Sequence, residues 1–251
     1  MTLGRARLAI GQGVSLWVLE VPDGFGQPDS HAHHAIQISL CLSGTMTLEC
    51  GAEQFDDPAL LVAADRVHAL DGSGVLVLVF LDPESPQGRA VTALLPSGQG
   101  AVALDAGRIR PHLSHLAAAF TADLGEEDLL AAGRAAVAAL VDSDRQESID
   151  PRIALVVERA MSGLDGPLDL SRLGQGINLS ASRLRHLFVE QTGLPFKSYV
   201  LWLRLNRALQ VYTRGQSLTE AAHAAGFADS AHLSRTFRRT FGLPATTLTR
   251  F

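Results

Sequence analysis

The sequence predicts an α+β chain of two domains, β-rich at the start and all-helical at the end. Three observations lead there. Short β-prone runs broken by Gly, Pro and Asp clusters fill the first hundred residues, at the spacing of a sandwich or small barrel. From Pro111 the pattern turns to Ala/Leu-rich helix, and beyond residue 150 it reads as short helices joined by tight Gly turns. The charge divides at the same place. Residues 1–150 hold eight arginines against twenty carboxylates, a net −12, whereas residues 151–251 carry +7. The chain total of −5 hides this asymmetry, which suggests an acidic module joined to one that meets a polyanion.

Composition narrows the class further. With 251 residues, 47% hydrophobic and 19% charged, the chain can bury a real core, which excludes a collagen-like or mainly disordered protein. Two cysteines, Cys41 and Cys50, cannot make a disulfide framework. The N-terminal MTLGRARLAI lacks the apolar stretch of a signal peptide. The longest strongly apolar run, Val75 to Leu81, is the length of a strand, far short of a membrane span. No membrane partner and a cytoplasmic location are therefore expected.

The β-prone runs are Val14 to Leu19, Ala35 to Leu42, Thr45 to Cys50, Ala59 to Ala63 and Val75 to Leu81, with Ser43-Gly44 read as a turn between the second and third. Pro111 to Leu124 and Glu126 to Val141, joined at Gly125, read as an antiparallel helical hairpin with Pro111 in its first turn. Its apolar faces suit either a homodimer contact or packing on the β-domain of the same chain. The polar run 142–150 reads as a linker. Helices are expected at 151–161, 168–174, 181–191, 196–213, 218–224 and 230–241, with a short one after Pro244. The division is thus 1–105, 106–141, 142–150 and 151–251.

Leu170 to Phe188 has the apolar spacing of a helix-turn-helix. Leu170 and Leu173 serve the first helix, Ile177 and Leu179 the turn, and Ser180 caps the second. Leu184, Leu187 and Phe188 then form a buried stripe. Ala181, Ser182, Arg183, Arg185 and His186 stay outside, near the end that a recognition helix inserts into the major groove. The same grammar recurs about fifty residues on. Leu218 to Ala222 is the first helix, Gly226-Phe227 the turn, and Asp229 or Ser230 the cap. Leu233, Thr236, Phe237 and Phe241 face inward, while Ser230, Ala231, Ser234, Arg235, Arg238 and Arg239 face outward. Between the two units, Phe196 to Thr213 makes a helix of roughly 27 Å, suited to holding recognition helices about 34 Å apart in successive grooves.

These residues resemble the DNA-binding domain of AraC/XylS-type bacterial transcription regulators. The resemblance covers 168–248 and rests on Leu184-Arg-His-Leu-Phe188 with Thr192-Gly193, on Arg204 to Ala208, and on Ala222 to Phe227 followed by Phe237 to Gly242. Gly174, Leu233 and the early Pro244 depart from the family pattern. The resemblance implies double-stranded DNA as a partner, with Ser182, Arg185, His186, Ser230, Ala231, Ser234 and Arg235 at base edges. Lys197, Arg204, Arg238 and Arg239 are read as phosphate contacts.

The β-rich half carries one chemical constellation, His31-Ala-His33-His34-Ala-Ile-Gln37, with His68 further on. Strand alternation puts 31, 33, 35, 37, 39 and 41 on one face: His, His, Ala, Gln, Ser, Cys. The opposite face from 34 to 42 is mainly aliphatic, as in a strand lining a cavity. His31, His33, Gln37 and Gly44 resemble the first cupin motif with Gln in the Glu position, and His68 matches the second. The implied fold is an N-terminal cupin-like β-sandwich or barrel with a helical hairpin, followed by an all-α double helix-turn-helix. Three imidazoles and an amide oxygen can hold a divalent Zn, Ni, Mn or Fe ion or hydrogen-bond an organic effector. His34, of opposite parity, falls outside this set, and Cys41 lies farther along the same face. The reading is a non-enzymatic DNA-binding transcription regulator, modulated by a small molecule or metal in the cupin pocket and expected as a homodimer. The alternative is a metal-dependent cupin enzyme fused to a DNA-binding domain.

Overall fold

The structure, a computed structural model, describes residues 4–25, 28–122, 125–141 and 149–248. The chain divides into two compact units. One is drawn from Met1–Pro83, Gln87–Gln146 and Phe237–Phe251, the other from Glu84–Pro86 and Glu147–Thr236. Of the expected linker 142–150, residues 142–148 lie outside the described residues. No helix among the described residues is long and apolar enough to cross a membrane.

The first unit is built on a seven-stranded sheet. Its strands are β1 (Ala6–Gly11), β2 (Val14–Val21), β3 (Ile36–Cys50), β4 (Glu53–Phe55), β5 (Ala59–Val62), β6 (His68–Leu81) and β7 (Ala101–Ala103). The order is β1-β2-β6-β3-β5-β7 with β4 on β3, and every pairing is antiparallel. Sequence patterning misses β1, β4 and β7, and also a helix, α1 (Pro86–Thr92).

Both faces of the central strands are buried, and residue parity assigns them. Val14, Leu16 and Val18 of β2, Ile36, Ile38 and Leu40 of β3, and Val77, Val79 and Leu81 of β6 form one apolar core. The alternate residues Trp17, Gln37, Ser39, Leu78 and Phe80 point to the other side and are also buried. The first face is covered by α2 (Ala106–Thr121) and α3 (Glu126–Ala138), through Ile109, Leu116, Ala119 and Phe120 and through Leu129, Ala136 and Val137. Full burial of each such aliphatic side chain is worth about 1.5–3 kcal/mol. The hairpin's apolar face is thus satisfied by the sheet of its own chain, and the basis for reading it as a dimer contact falls away.

Two local expectations need correction. Ser43-Gly44 is not a turn. The strand runs through it as β3, with a register shift between Cys41 and Ser43, and Gly44 pairs with Gly74 of β6. The two glycines have φ of +91° and +90°, which lets the backbones approach where side chains would collide. Nor does Pro111 open its helix. Asp105 caps α2 by accepting from the Gly107 N–H at 2.8 Å, so Pro111 sits inside the helix. It forgoes one ladder hydrogen bond, and the buried stripe on either side keeps the helix going.

The second unit is helical: α4 (Pro151–Met161), α5 (Leu170–Leu173), α6 (Ala181–Thr192), α7 (Phe196–Thr213), α8 (Leu218–Ala224) and most of α9 (Ser230–Phe241). Five of these six starts have a side-chain cap, α7 after Pro195 being the exception. Asp150, Asp169 and Ser180 accept from backbone N–H groups at the heads of α4, α5 and α6, and Ser217 with Glu220 forms a capping box on α8. Asp229 rather than Ser230 caps α9, accepting from the His232 N–H at 2.6 Å. Gly193, at φ 79°, closes α6. Ile153, Val156, Ile177, Leu184, Leu187, Phe188, Tyr199 and Leu203 make the core. Leu170 and Leu173, expected on the core face of the first helix, only edge it, partly buried. A short 3₁₀ turn, Ala245–Leu248, follows Pro244.

Candidate functional site

Two regions carry chemistry, one in each unit. In the first, the segment before β3, β3 itself and the start of β6 bring His31, His33, Gln37 and His68 together. β3 begins only at Ile36, so His31 and His33 do not alternate with Gln37 along one strand as expected. His33 Nε2 meets Gln37 directly, and His31 is bridged to His68 by reciprocal backbone hydrogen bonds of 2.9 Å. The three histidines each offer a nitrogen, all within 4.8 Å of one another.

The imidazoles are oriented by the backbone. Nδ1 of His31, His33 and His68 lies 2.9, 2.9 and 2.8 Å from the carbonyls of Asp29, Ala35 and Arg66. Carbonyl oxygens only accept, so each Nδ1 carries the proton and each Nε2 keeps its lone pair. Burial holds these rings neutral. It pushes His33 down to about 4 and His68 to about 3, with the positive charge of neighbouring imidazoles acting in the same direction on both. His31 is lowered as well, again chiefly by burial.

The Gln37 oxygen then meets lone pairs. Oε1 lies 2.9 Å from His33 Nε2 and 3.3 Å from His68 Nε2, while the Gln37 amide nitrogen donates to Ser39 Oγ at 2.8 Å. Facing acceptors of this kind are reconciled by a cation among them, or by turning the amide so that its NH₂ donates to both rings and Ser39 donates to its oxygen. The residues present fit a divalent ion. His34 stands apart, with Nδ1 at 3.4 Å from Asp65 Oδ2. The half-buried Cys41 thiol, raised by burial, turns to the Ser43 carbonyl at the bulge.

Beside the cluster is an apolar pocket. Trp17, Phe25, Leu70, Leu78 and Phe80 wall it, His31 and Gln37 border it, and Phe241 and Leu243 complete its lining around about 20 Å³. That is about the room one water needs. Trp17 and Phe80 lie at 4.8 Å between ring centroids, and Phe241 at 5.0 and 5.6 Å from them. Parity along β2 and β6 could have flagged Trp17 and Phe80. No local signal pointed to Phe241, which the helical pattern had assigned, with Phe237, to the core of the second helix-turn-helix. Instead Phe237 stacks on Trp17 at 6.3 Å and 6°.

In the second unit, α6 buries Leu184, Leu187 and Phe188 and exposes Ser182, Arg185 and His186. On α9, Leu233 is buried, Ala231 and Arg235 are exposed, and Ser230 and Ser234 are partly so. Lys197 and Arg239 are exposed. Two of the residues read as phosphate contacts have other work. The half-buried Arg204 donates to the Leu164 carbonyl at 3.1 Å and the Gly166 carbonyl at 2.8 Å, satisfying carbonyls of the turn after α4. Arg238 pairs with Asp29 at 2.7 Å. Arg204→Ala is therefore expected to lower stability by about 1–3 kcal/mol while leaving the salt dependence of DNA binding unchanged. Thermal melts together with binding isotherms at several salt concentrations check this.

Residues 173–250 match the helix-turn-helix domain family. The HTH-type transcriptional regulator GbdR of Pseudomonas aeruginosa is 33% identical over 95 residues, which is 38% of this chain and 26% of that protein. The chain thus matches about a quarter of the length of that relative. ToxT from Vibrio cholerae O395 aligns over 95% of this chain and 99% of its own, with a TM-score of 0.54 at 12% identity, and shares the fold. A further ToxT structure, described as bound to an unsaturated fatty acid, aligns with a TM-score of 0.52 at 11% identity, covering 96% of this chain and 95% of its own.

Proposed function

Since residues 173–250 match a helix-turn-helix domain family, we propose that the chain is a sequence-specific double-stranded DNA-binding transcription regulator of the AraC type. The observation that carries this is the tandem arrangement on α6 and α9. Each helix is capped by a short polar side chain, buries a mainly apolar stripe (Leu184, Leu187 and Phe188 on α6; Leu233, Phe237 and Phe241 on α9) and leaves polar and arginine side chains outside. In this reading Ser182, Arg185, His186, Ser230, Ala231, Ser234 and Arg235 meet base edges, and Lys197 and Arg239 meet phosphates. Binding to the region upstream of its own gene, measured against salt, tests this. A steep loss of affinity with rising salt is expected, and equal affinity for every sequence would refute specificity.

The N-terminal unit is its sensor, with a cupin-like pocket. His31, His33 and His68 supply three Nε2 atoms and Gln37 an amide oxygen to a divalent Zn, Ni, Mn or Fe ion. The backbone carbonyls on Nδ1 are the outer contacts that orient such ligands. The ion would supply a Lewis-acidic position for the polar end of an effector, whose apolar body takes the aromatic pocket beside it. The fatty acid named with a ToxT structure of the same fold supports an apolar effector in this unit. Purified chain is expected to take one ion per molecule, and His33→Ala to weaken that binding by at least about tenfold. Calorimetric titration with each metal checks this, and equal binding by His33→Ala would remove the site.

A further inference from the structure

Part of the wall of the pocket beside the histidines comes from the far end of the chain, through Phe241 and Leu243. We propose that Phe241-Gly242-Leu243 is an internal ligand of this pocket, seated where the effector's apolar body goes, so that effector and segment exclude one another. This rests on the effector-pocket reading above and adds its regulation.

Three independent contacts seat the segment. The Phe241 ring lies 5.0 Å from Trp17 and 5.6 Å from Phe80. Gly242, at φ +73°, passes so close to the 29–31 segment that a Cβ would stand 2.5 Å from His31 Nδ1 and 2.6 Å from the Asp29 carbonyl, and the Asp29 N–H donates to the Gly242 carbonyl at 3.4 Å. Arg238, one turn earlier, pairs with Asp29 at 2.7 Å, both side chains half exposed. A glycine is required at this approach, whereas a helix cap alone would tolerate other residues.

The displaced groups define the competing ligand. It offers a flat aromatic ring or a branched apolar body of similar size, to stack against Trp17 and Phe80, with its polar end toward His31 and Gln37. The segment is also the end of α9, whose first two turns carry Ser230, Ala231, Ser234 and Arg235. Unseating it releases Arg238 from Asp29 and returns that cation to the DNA-facing set. Effector and DNA then favour the same unseated state, which couples the two ligands.

The test uses the full chain and 1-anilinonaphthalene-8-sulfonate as an apolar fluorescent probe. A pocket closed most of the time binds with affinity reduced by its open fraction. Phe241→Ala is expected to tighten probe binding at least about tenfold, but it also carves a cavity. Gly242→Ala separates the two causes, because it keeps both apolar side chains and only forces the segment away from Asp29 and His31. It too is expected to tighten the probe, with a cooperative thermal transition retained, and to tighten binding to the chain's own upstream DNA. Gly193→Ala, at the corresponding cap of α6 (φ 79°), is the control and should leave the probe unchanged. Equal probe affinity in wild type and Gly242→Ala, with binding present in both, overturns the internal ligand and leaves the pocket reading standing. Probe binding by none of the proteins overturns both.

Discussion

Gly44→Val is expected to cost the first unit roughly 3–5 kcal/mol, enough to remove most of the stability of an ordinary domain. A Cβ at this position would stand 2.1 Å from the Ser73 carbonyl oxygen and 3.0 Å from the Gly74 Cα, and both are backbone atoms of a paired strand that cannot step aside. The left-handed φ of +91° adds conformational strain for a β-branched residue. Gly51→Val supplies the comparison. Gly51 also has positive φ, but nothing lies within 4 Å of its Cβ position, so only the conformational part applies, about 1–3 kcal/mol. Thermal unfolding of the two variants should separate them clearly, and equal melting temperatures would refute the Gly44–Gly74 pairing.

Arg235→Ala is expected to cost about 1–3 kcal/mol of DNA binding and to relax preference at one base pair. Arg239→Ala, also exposed on α9 but assigned to phosphate, is expected to weaken all sequences alike and to reduce the salt slope by about one. Selection of binding sites from a random pool, run with both variants, distinguishes them. A uniform loss for Arg235→Ala would move it to the phosphate set. The contrast draws its force from position. Arg235 lies in the second turn of α9, near the capped end proposed to enter a groove, and Arg239 in its last turn.

How much was legible beforehand follows from the range of the interactions. The helical domain was read almost to the residue: α4, α7, α8 and α9 have the expected bounds. Helix periodicity, caps and glycine stops all act within a few positions, so the sequence displays them directly. The strands were read less well. β3 was cut in two at Ser43-Gly44, because a glycine pair that lets strands approach looks, from one strand alone, like a turn. β1, β4 and β7 are not visible in the pattern, since pairing with β2, β3 and β5 defines them.

The site shows the same division. Alternation along one strand predicts His31, His33 and Gln37 on a common face, but β3 begins only at Ile36, so the two histidines reach Gln37 from the segment that precedes the strand. His68 joins them only through its backbone pairing with His31. Arg204 and Arg238 look alike in sequence, two cations on a basic domain, yet one donates to carbonyls and the other to Asp29. Phe241 reads as one more core residue of a helix. Its place against Trp17 depends on a contact 224 positions away along the chain, and no local pattern encodes that. Short-range periodicity and charge therefore sufficed to identify a helix-turn-helix pair and to single out the histidines that lead into β3. Which groups fill the pocket, and which cations are already engaged, required long-range packing, where burial of apolar surface is satisfied by whatever the fold brings near.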